Sequence, residues 1–413
     1  MSLRTRGLVL AMEGEEEVVP STSEEVSDSL SELSDSADEA SEVVGNVVEL
    51  EGSVDDAVQD AETLEKIQGV MEDSVESGEG LDETSAEIAE IAVEAICARL
   101  GIKKRAMPAM ESFGSQNSRV VATKIAIEGI SGMVKTTWEA IVKAWNTMWT
   151  YIKDFFTKYF TALGRAKETQ AKLATAVKEF GKTEVGEKKE IENSSLSSAF
   201  AIGGKADAGT VETILKNHTE YTNSLIVAAE VLKDGVKSVK PGETPSTAEV
   251  TSKYVNKVSA VSPDLVGGAV LKVEKSAEEG KGFTFSFSFG GEKAKEIKLP
   301  VLTKDEMGKV LAGVNSLLTV SDNFKKEMKT IEEINKAVID LAKAFGNMRT
   351  VVKDEGSTDE EKEAAKKSSK AAAEFIKSVQ SAINKTTTTV PGLNLKAANA
   401  AMNYVQSSMK AYK

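Results

Sequence analysis

The stretch that decides the fold is residues 134–160, VKTTWEAIVKAWNTMWTYIKDFFTKYF. Its large apolar residues alternate by four and three positions, and they are Val134, Trp138, Ile141, Trp145, Met148, Ile152, Phe155 and Tyr159. This is the a/d spacing with which a helix buries one seam against its neighbours. The stretch therefore predicts a long amphipathic helix, within a region from about 118 to 163 that is helical throughout.

Two interpretations of this aromatic helix stay open. It holds all three Trp of the chain, and Trp138, Trp145, Trp149 and Phe156 form a candidate membrane or partner face, with lysines on the remainder. The face either packs in a core or lies in a membrane surface with its lysines towards the headgroups. The core is favoured, because the other helices are Ala-rich and need large side chains to pack on. No apolar run reaches the roughly 18 residues of a membrane span.

Outward from this helix the composition is that of a helical chain, with 5% aromatic residues and 7 Pro. Gly164 predicts a break before a following helix that ends near 181.

Residues 283–289, FTFSFSF, alternate strictly between Phe and small polar residues, and Gly290-Gly291 then predicts a β-hairpin over 283–301, to which 266–273 could add a strand. The Phe face either packs on the chain's own helices, which is favoured, or meets a partner. The predicted fold is mainly α: an elongated helical bundle with one small β-hairpin.

Charge divides the chain near residue 111. Residues 1–111 contain 29 Asp+Glu and 7 Lys+Arg, a net of −22, whereas residues 112–413 contain 36 and 44, a net of +8. The first aromatic residue is Phe113. Because such an acidic segment buries little apolar surface, we expect residues 1 to about 84 to be largely disordered in isolation, and at least 13 to about 40 to be disordered.

The sequence therefore predicts three parts. Residues 1–111 form an acidic, largely disordered segment with a helix near 84–100, where Ile88, Ile91 and Ile96 recur at helical spacing before a Gly101 C-cap. Residues 112–181 form the aromatic helix and a following helix, and 182–413 a helical domain with the hairpin. Between Gly101 and residue 111, basic residues and Pro108 predict an open tether that a protease could reach.

Cysteine and histidine, which serve in many metal sites and catalytic triads, are nearly absent. One Cys, Cys97, and one His, His218, exclude a disulfide framework and a His/Cys metal cluster. His218 lies among helix formers, so we expect it to face solvent or to cap a helix. The glycine pairs lack the spacing of a phosphate cradle, and the acidic clusters lack that of a calcium loop. The sequence thus predicts a protein that is not an enzyme, with no metal and no cofactor.

Short tripeptides of Ala or Ser, any residue and Glu recur along the chain. Such a motif alone is close to chance here, because Ala, Ser and Glu are common. Ala109-Met110-Glu111 is informative by position, since it falls on the compositional break after Pro108, and Ala11-Met12-Glu13 repeats it near the N-terminus. Others include Ala40-Ser-Glu42, Ser74-Val-Glu76, Ala92-Val-Glu94 and Ala126-Ile-Glu128.

The residues around the break resemble a known family. The sequence AMPAMESF at 106–113, then SRVVATKIAIEGI at 118–130 and the Trp/Lys helix, resembles the internal head (inner virion structural) proteins of giant tailed bacteriophages. The resemblance implies a propeptide that the phage prohead protease removes by cutting after Glu in a Ser/Ala-X-Glu motif. It implies a cut between Glu111 and Ser112, recognition of Ala109 and Glu111, and a secondary cut after Glu13.

The resemblance also implies a location and partners. The chain would be made in the host cytoplasm and carried in the capsid interior of the virion, beside other capsid or inner-head proteins. A change in net charge from −14 to +8 on cutting would allow weak, non-specific DNA contact, and the protein could leave with the genome. The alternative function is a membrane-acting helical protein that an acidic prosegment holds inactive.

Overall fold

The structure, a computed structural model, describes residues 23–102, 107–187, 189–239, 264–275, 283–289, 298–351 and 374–413. It is mainly helical, as predicted. The helices are α1 (Ser23–Glu76), α2 (Glu83–Leu100), α3 (Gln116–Glu179), α4 (Ser194–Phe200), α5 (Ala208–Ser238), α6 (Lys304–Asp322), α7 (Phe324–Val351), α8 (374–384) and α9 (Val390–Lys410). A 3₁₀ turn, Met110–Phe113, precedes α3, and a π-helical turn, Lys385–Thr389, joins α8 to α9.

The aromatic helix is α3, which runs for 64 residues, about 96 Å at 1.5 Å per residue. The Ser115 backbone N–H donates to the Ser118 hydroxyl at 3.3 Å and caps its first turn. The predicted division into two helices at Gly164 is wrong. Gly164 is exposed, where a glycine costs a helix only about 1 kcal/mol, and buried Leu163 and Ala166 hold the helix together around it.

The acidic segment forms α1, which lies antiparallel to α3. Near the start of α1, the Ser36 hydroxyl accepts a hydrogen bond from Arg165, close to the far end of α3. Beyond the end of α1, the Leu81 backbone N–H donates to the Thr123 hydroxyl at 2.9 Å, close to the start of α3. The two helices are therefore in contact along most of α1.

The predicted disorder between residues 13 and 40 is wrong from Ser23 onward. Apolar residues on α1 recur by three, four or seven positions and are buried: Val26, Leu30, Leu33, Ala40, Val43, Val47, Val54, Ala61 and Leu64. They are small or branched, and α3 carries the aromatic side chains that α1 lacks. The helix thus depends on a partner that composition alone does not reveal. Disorder of residues 1 to about 84 in isolation, without α3, stays a prediction.

The helix expected near 84–100 is α2, which ends at Gly101 in the left-handed conformation (φ 66°). Its packed side differs from the expected one. Ile88 and Ile91 are 64% and 62% exposed, whereas Ile96 is buried. The buried side also carries the short side chains of Ala86, Ala89 and Val93.

The strands pair differently from the expected hairpin. Residues Phe283–Phe289 (β3) pair antiparallel with Ala269–Lys275 (β2), the segment considered as an additional strand. Leu299–Pro300 (β4) pairs instead with Glu190–Ile191 (β1). The expected hairpin is therefore wrong at Leu299–Pro300, because these residues pair with β1 and not with β3. Residues 295–297 lie outside the described part of the chain. The Phe side chains of β3 lie outside the described residues, so the expected packing of that face stays a prediction.

A continuous apolar core runs through the described residues, from Val26 on α1 to Val405 on α9. α3 lies at its centre and contacts α1, α6, α7 and α9. The Trp145 indole N–H donates to the Asn335 side-chain oxygen on α7, and the rings of Tyr159 and Phe324 meet edge to face at 6.5 Å. The aromatic seam thus holds the bundle together.

Candidate processing site at the start of α3

The segment between α2 and α3 is anchored at both ends of the Ala109-Met110-Glu111 motif. Met107 before it is 4% exposed, and Phe113 after it is completely buried. Between these anchors, the side chains of Ala109 and Glu111 are exposed. The expected open tether is therefore wrong for residues 107–113, since two apolar anchors fix the segment; residues 103–106 lie outside the described part.

The candidate scissile bond, between Glu111 and Ser112, lies in the 3₁₀ turn. The Ser112 backbone N–H donates to the Ala109 carbonyl oxygen at 2.9 Å, and the Gly114 N–H donates to the Glu111 carbonyl oxygen at 3.4 Å. The Arg119 side chain also donates to the Phe113 carbonyl oxygen at 2.7 Å. A protease that binds its substrate extended must first open this turn, and each bond opposes opening by about 0.5–1.5 kcal/mol.

The loop between α1 and α2 lies against the start of α3. Gly80 has a φ of +66°, and a Cβ at this position would lie 2.6 Å from the carbonyl carbon of Arg119. Only glycine fits this approach without a backbone shift. The pKa of neighbouring Asp82 is lowered, because its carboxylate accepts the backbone N–H of Ser85, with a smaller contribution from Arg119. The acidic segment is thus in contact with the helix that follows the candidate cut.

Four of the other motifs lie inside α-helices. Ala40-Ser-Glu42 and Ser74-Val-Glu76 belong to α1, Ala92-Val-Glu94 belongs to α2, and Ala126-Ile-Glu128 belongs to α3. Ala40 and Ala126 are completely buried. Ala109-Met110-Glu111 differs from all four, because it lies outside the α-helices with both flanking side chains exposed. The repeat at Ala11-Met12-Glu13 lies outside the described residues.

One motif that the sequence alone did not single out also lies outside the α-helices. Ser77-Gly78-Glu79 follows the same Ser/Ala-X-Glu pattern in the loop between α1 and α2, and all three residues are exposed. Gly78 adopts a left-handed conformation with a φ of 76°. The pair of glycines at 78 and 80 could have indicated a loop here. Within the described part of the chain, two such motifs are thus exposed outside the α-helices, one before α2 and one after it.

The aromatic face is buried. Trp138, Trp145, Trp149 and Phe156 are between 2% and 7% exposed in the core around α3. The Lys153 ammonium lies 5.6 Å from the centre of the Trp149 ring. Among the described residues, no helix is long and apolar enough to cross a membrane, and no group of three or more His, Cys, Asp or Glu could hold a metal ion.

His218 is completely buried, so the expected solvent-facing or capping role is wrong. The Val266 backbone N–H donates to its Nε2 at 3.0 Å, and its Nδ1 lies 2.8 Å from the Asn394 side-chain oxygen. Nε2 is therefore the acceptor, and the proton sits on Nδ1. The Asn394 amide donates in turn to the hydroxyls of Thr222 (2.8 Å) and Ser321 (3.2 Å). This network ties α5, α6 and α9 together.

We expect His218 to make the fold acid-sensitive. Burial lowers its pKa to about 4, from a usual value of 6.5. Between these values the unfolded chain binds a proton that the folded chain does not, so stability falls as the pH falls. The loss should reach about 3 kcal/mol between pH 7 and pH 4. Urea unfolding at both pH values tests this expectation. His218→Gln should lower the pH dependence by that amount, and an undiminished dependence would contradict it.

One comparison with known proteins gives a match. A family model described as phiKZ-like phage internal head proteins matches residues 11–407, which is nearly the whole chain. No curated protein and no solved structure matches.

Proposed function

Because this chain belongs to the phiKZ-like phage internal head proteins, we propose that it is a structural protein of the capsid interior that an assembly protease matures by cutting after Glu111. The partners in this proposal are the prohead protease and other capsid or inner-head proteins. The chain acts as a building component and not as an enzyme.

The exposed motif at the charge boundary carries the proposal of maturation. Ala109 and Glu111 are exposed outside the α-helices, and they stand where the net charge changes from −22 to +8. The short turn around them holds few hydrogen bonds, so local opening costs little compared with opening a helix. A cut after Glu111 ends the covalent link between α1–α2 and α3, and it leaves α3 with its capping residues Ser115 and Ser118. Ser77-Gly78-Glu79 is a second candidate for the same protease.

The N-terminus of the protein in mature particles tests the position of the cut. Edman sequencing of the chain from purified particles should give Ser112-Phe113-Gly114. A terminus at Gly80 would place the cut after Glu79 instead. A terminus near Met1 would contradict maturation altogether.

The net positive charge of the part that remains after the cut predicts weak contact with DNA. The retained 112–413 part carries +8, spread over 302 residues, which supports a few phosphate contacts and no base recognition. We expect the mature protein, isolated from particles, to bind duplex DNA and to lose roughly 10- to 100-fold in affinity between 50 and 200 mM salt. Fluorescence anisotropy measures this, with the unprocessed chain as the control that does not bind. Equal binding by both forms would contradict the role of the cut.

The membrane-acting alternative is not favoured, because the aromatic face that would meet a lipid surface is buried in the core. Sedimentation with anionic liposomes separates the two functions. The mature protein should stay in the supernatant at physiological salt.

A further inference from the structure

The retained part of the chain has a surface that α1 covers along most of that helix. We call it the prosegment groove, and it is formed by α3, α8 and α9, the elements after residue 111 against which α1 lies. Arg165 and Lys172 on α3 donate to the Ser36 and Ser29 hydroxyls of α1. On α8, Lys377 lies 3.6 Å from a carboxylate oxygen of Asp55.

The centre of this contact is apolar. The buried seam of α1, from Val26 to Met71, belongs to the same core as the buried residues of α3 and α9. Burial of each such side chain contributes about 1.5–3 kcal/mol relative to exposure. The nine buried Val, Leu and Met side chains of α1 therefore contribute about 14–27 kcal/mol, which matches or exceeds the roughly 4–15 kcal/mol that association of two separate chains costs.

The charges of the two sides are complementary. α1 contains 18 Asp+Glu and one Lys, whereas α3 contains 10 Lys+Arg and five Asp+Glu. Opposite charges along two adjacent helices increase the specificity and the rate of their association more than they increase its affinity. The groove therefore fits a long acidic amphipathic helix, and α1 is such a helix.

A cut after Glu111 changes none of these contacts. The cut lies in the turn Met110–Phe113, whereas the contacts of α1 involve Ser29, Ser36 and Asp55. We infer that the groove keeps the cut prosegment as a non-covalently bound partner, so that one cut is necessary but not sufficient to uncover α3. This inference goes beyond the proposed function. It rests on the proposed function only for the position of the cut, which sets where the prosegment ends and the retained part begins. Exposure of the positive surface then requires a second event, such as further cutting within the prosegment.

The test cuts the folded full chain without the assembly protease. Residues 103–106 are replaced by the recognition sequence of a sequence-specific protease, and the purified chain is cut at that point. On size exclusion the two pieces should elute together at the position of the uncut chain, and they should separate in 8 M urea. Separate elution in native buffer would overturn the inference. Because the cut is engineered, this result does not depend on whether Glu111 is the natural site.

Two adjacent valines give a matched control. Val47 is completely buried in the seam, whereas Val48 is 46% exposed on the other side of α1. After cutting, Val47→Asp should weaken the pair by roughly 100-fold or more, so that the pieces separate. Val48→Asp should leave them together. Circular dichroism of the uncut variants shows whether each is folded. Pieces that stay together in a folded Val47→Asp chain would overturn the groove as the binding surface.

Discussion

Replacing Glu111 by Gln is expected to leave mature particles without a chain that begins at Ser112, and with a chain that is either uncut, at 44.1 kDa, or cut only at another Ser/Ala-X-Glu motif. The substitution removes the carboxylate that a Glu-specific protease would pair with, but it keeps the size of the side chain and the exposed turn. The effect should be all or none, because a protease that selects Glu loses its main recognition group. Gel electrophoresis and mass spectrometry of purified particles measure it.

The matched control for this substitution is Glu128→Gln. Glu128 ends the Ala126-Ile-Glu128 motif and is also exposed, but it lies within α3, where Ala126 is buried. Processing of the Glu128→Gln chain should be normal. Normal processing of the Glu111→Gln chain to a Ser112 terminus would show that the protease does not recognise Glu111.

Replacing Trp145 by Ala should destabilise the fold by about 3–5 kcal/mol, because it opens a large cavity in the core. Trp145 is 2% exposed, and its indole N–H donates to Asn335 on α7, whose buried amide oxygen would lose this partner. Such a loss is a large fraction of the roughly 5–15 kcal/mol that stabilises an ordinary protein. Urea unfolding followed by circular dichroism measures it.

Tyr151 on the same helix provides the control for Trp145, because it is 37% exposed. Tyr151→Ala should change the free energy of unfolding by about 0.5 kcal/mol or less. If Trp145→Ala unfolded with a free energy within 1 kcal/mol of the unsubstituted chain, the aromatic seam would not be the centre of the core.

The long aromatic helix could be predicted because its large residues mark the buried side clearly. The buried side of α1 consists of Val, Leu and Ala among many acidic residues. The overall composition therefore indicated disorder and not a packed helix. Its periodicity was present in the sequence, but its stability depends on α3, which lies far along the chain. The partner of β3 was mispredicted for a related reason. A glycine pair after a strand indicates a hairpin with the next strand, whereas no local signal identifies β2, which comes earlier in the chain, as the partner of β3.

The candidate site was predictable in part. The charge boundary indicated a segment between helices at Ala109-Met110-Glu111, and the structure has a 3₁₀ turn there, but the anchoring of Phe113 depends on tertiary packing. His218 was misjudged although a signal existed. It follows Val211 and Leu215 and precedes Leu225 at spacings of three, four and seven residues, which is the buried stripe of α5. A polar residue on such a stripe indicates a buried hydrogen-bond network.

The antiparallel pairing of α1 with α3 has a consequence for the order in which the chain folds on the ribosome. Ser29 and its partner Lys172 are 143 residues apart, so synthesis at about 5–20 residues per second separates their appearance by roughly 7–30 s. During this time α1 has no α3 to pack on, and its apolar seam faces water. The 18 acidic residues of α1 then oppose aggregation, because like-charged nascent segments repel one another. The acidic residues of α1 thus protect this helix until translation delivers its partner.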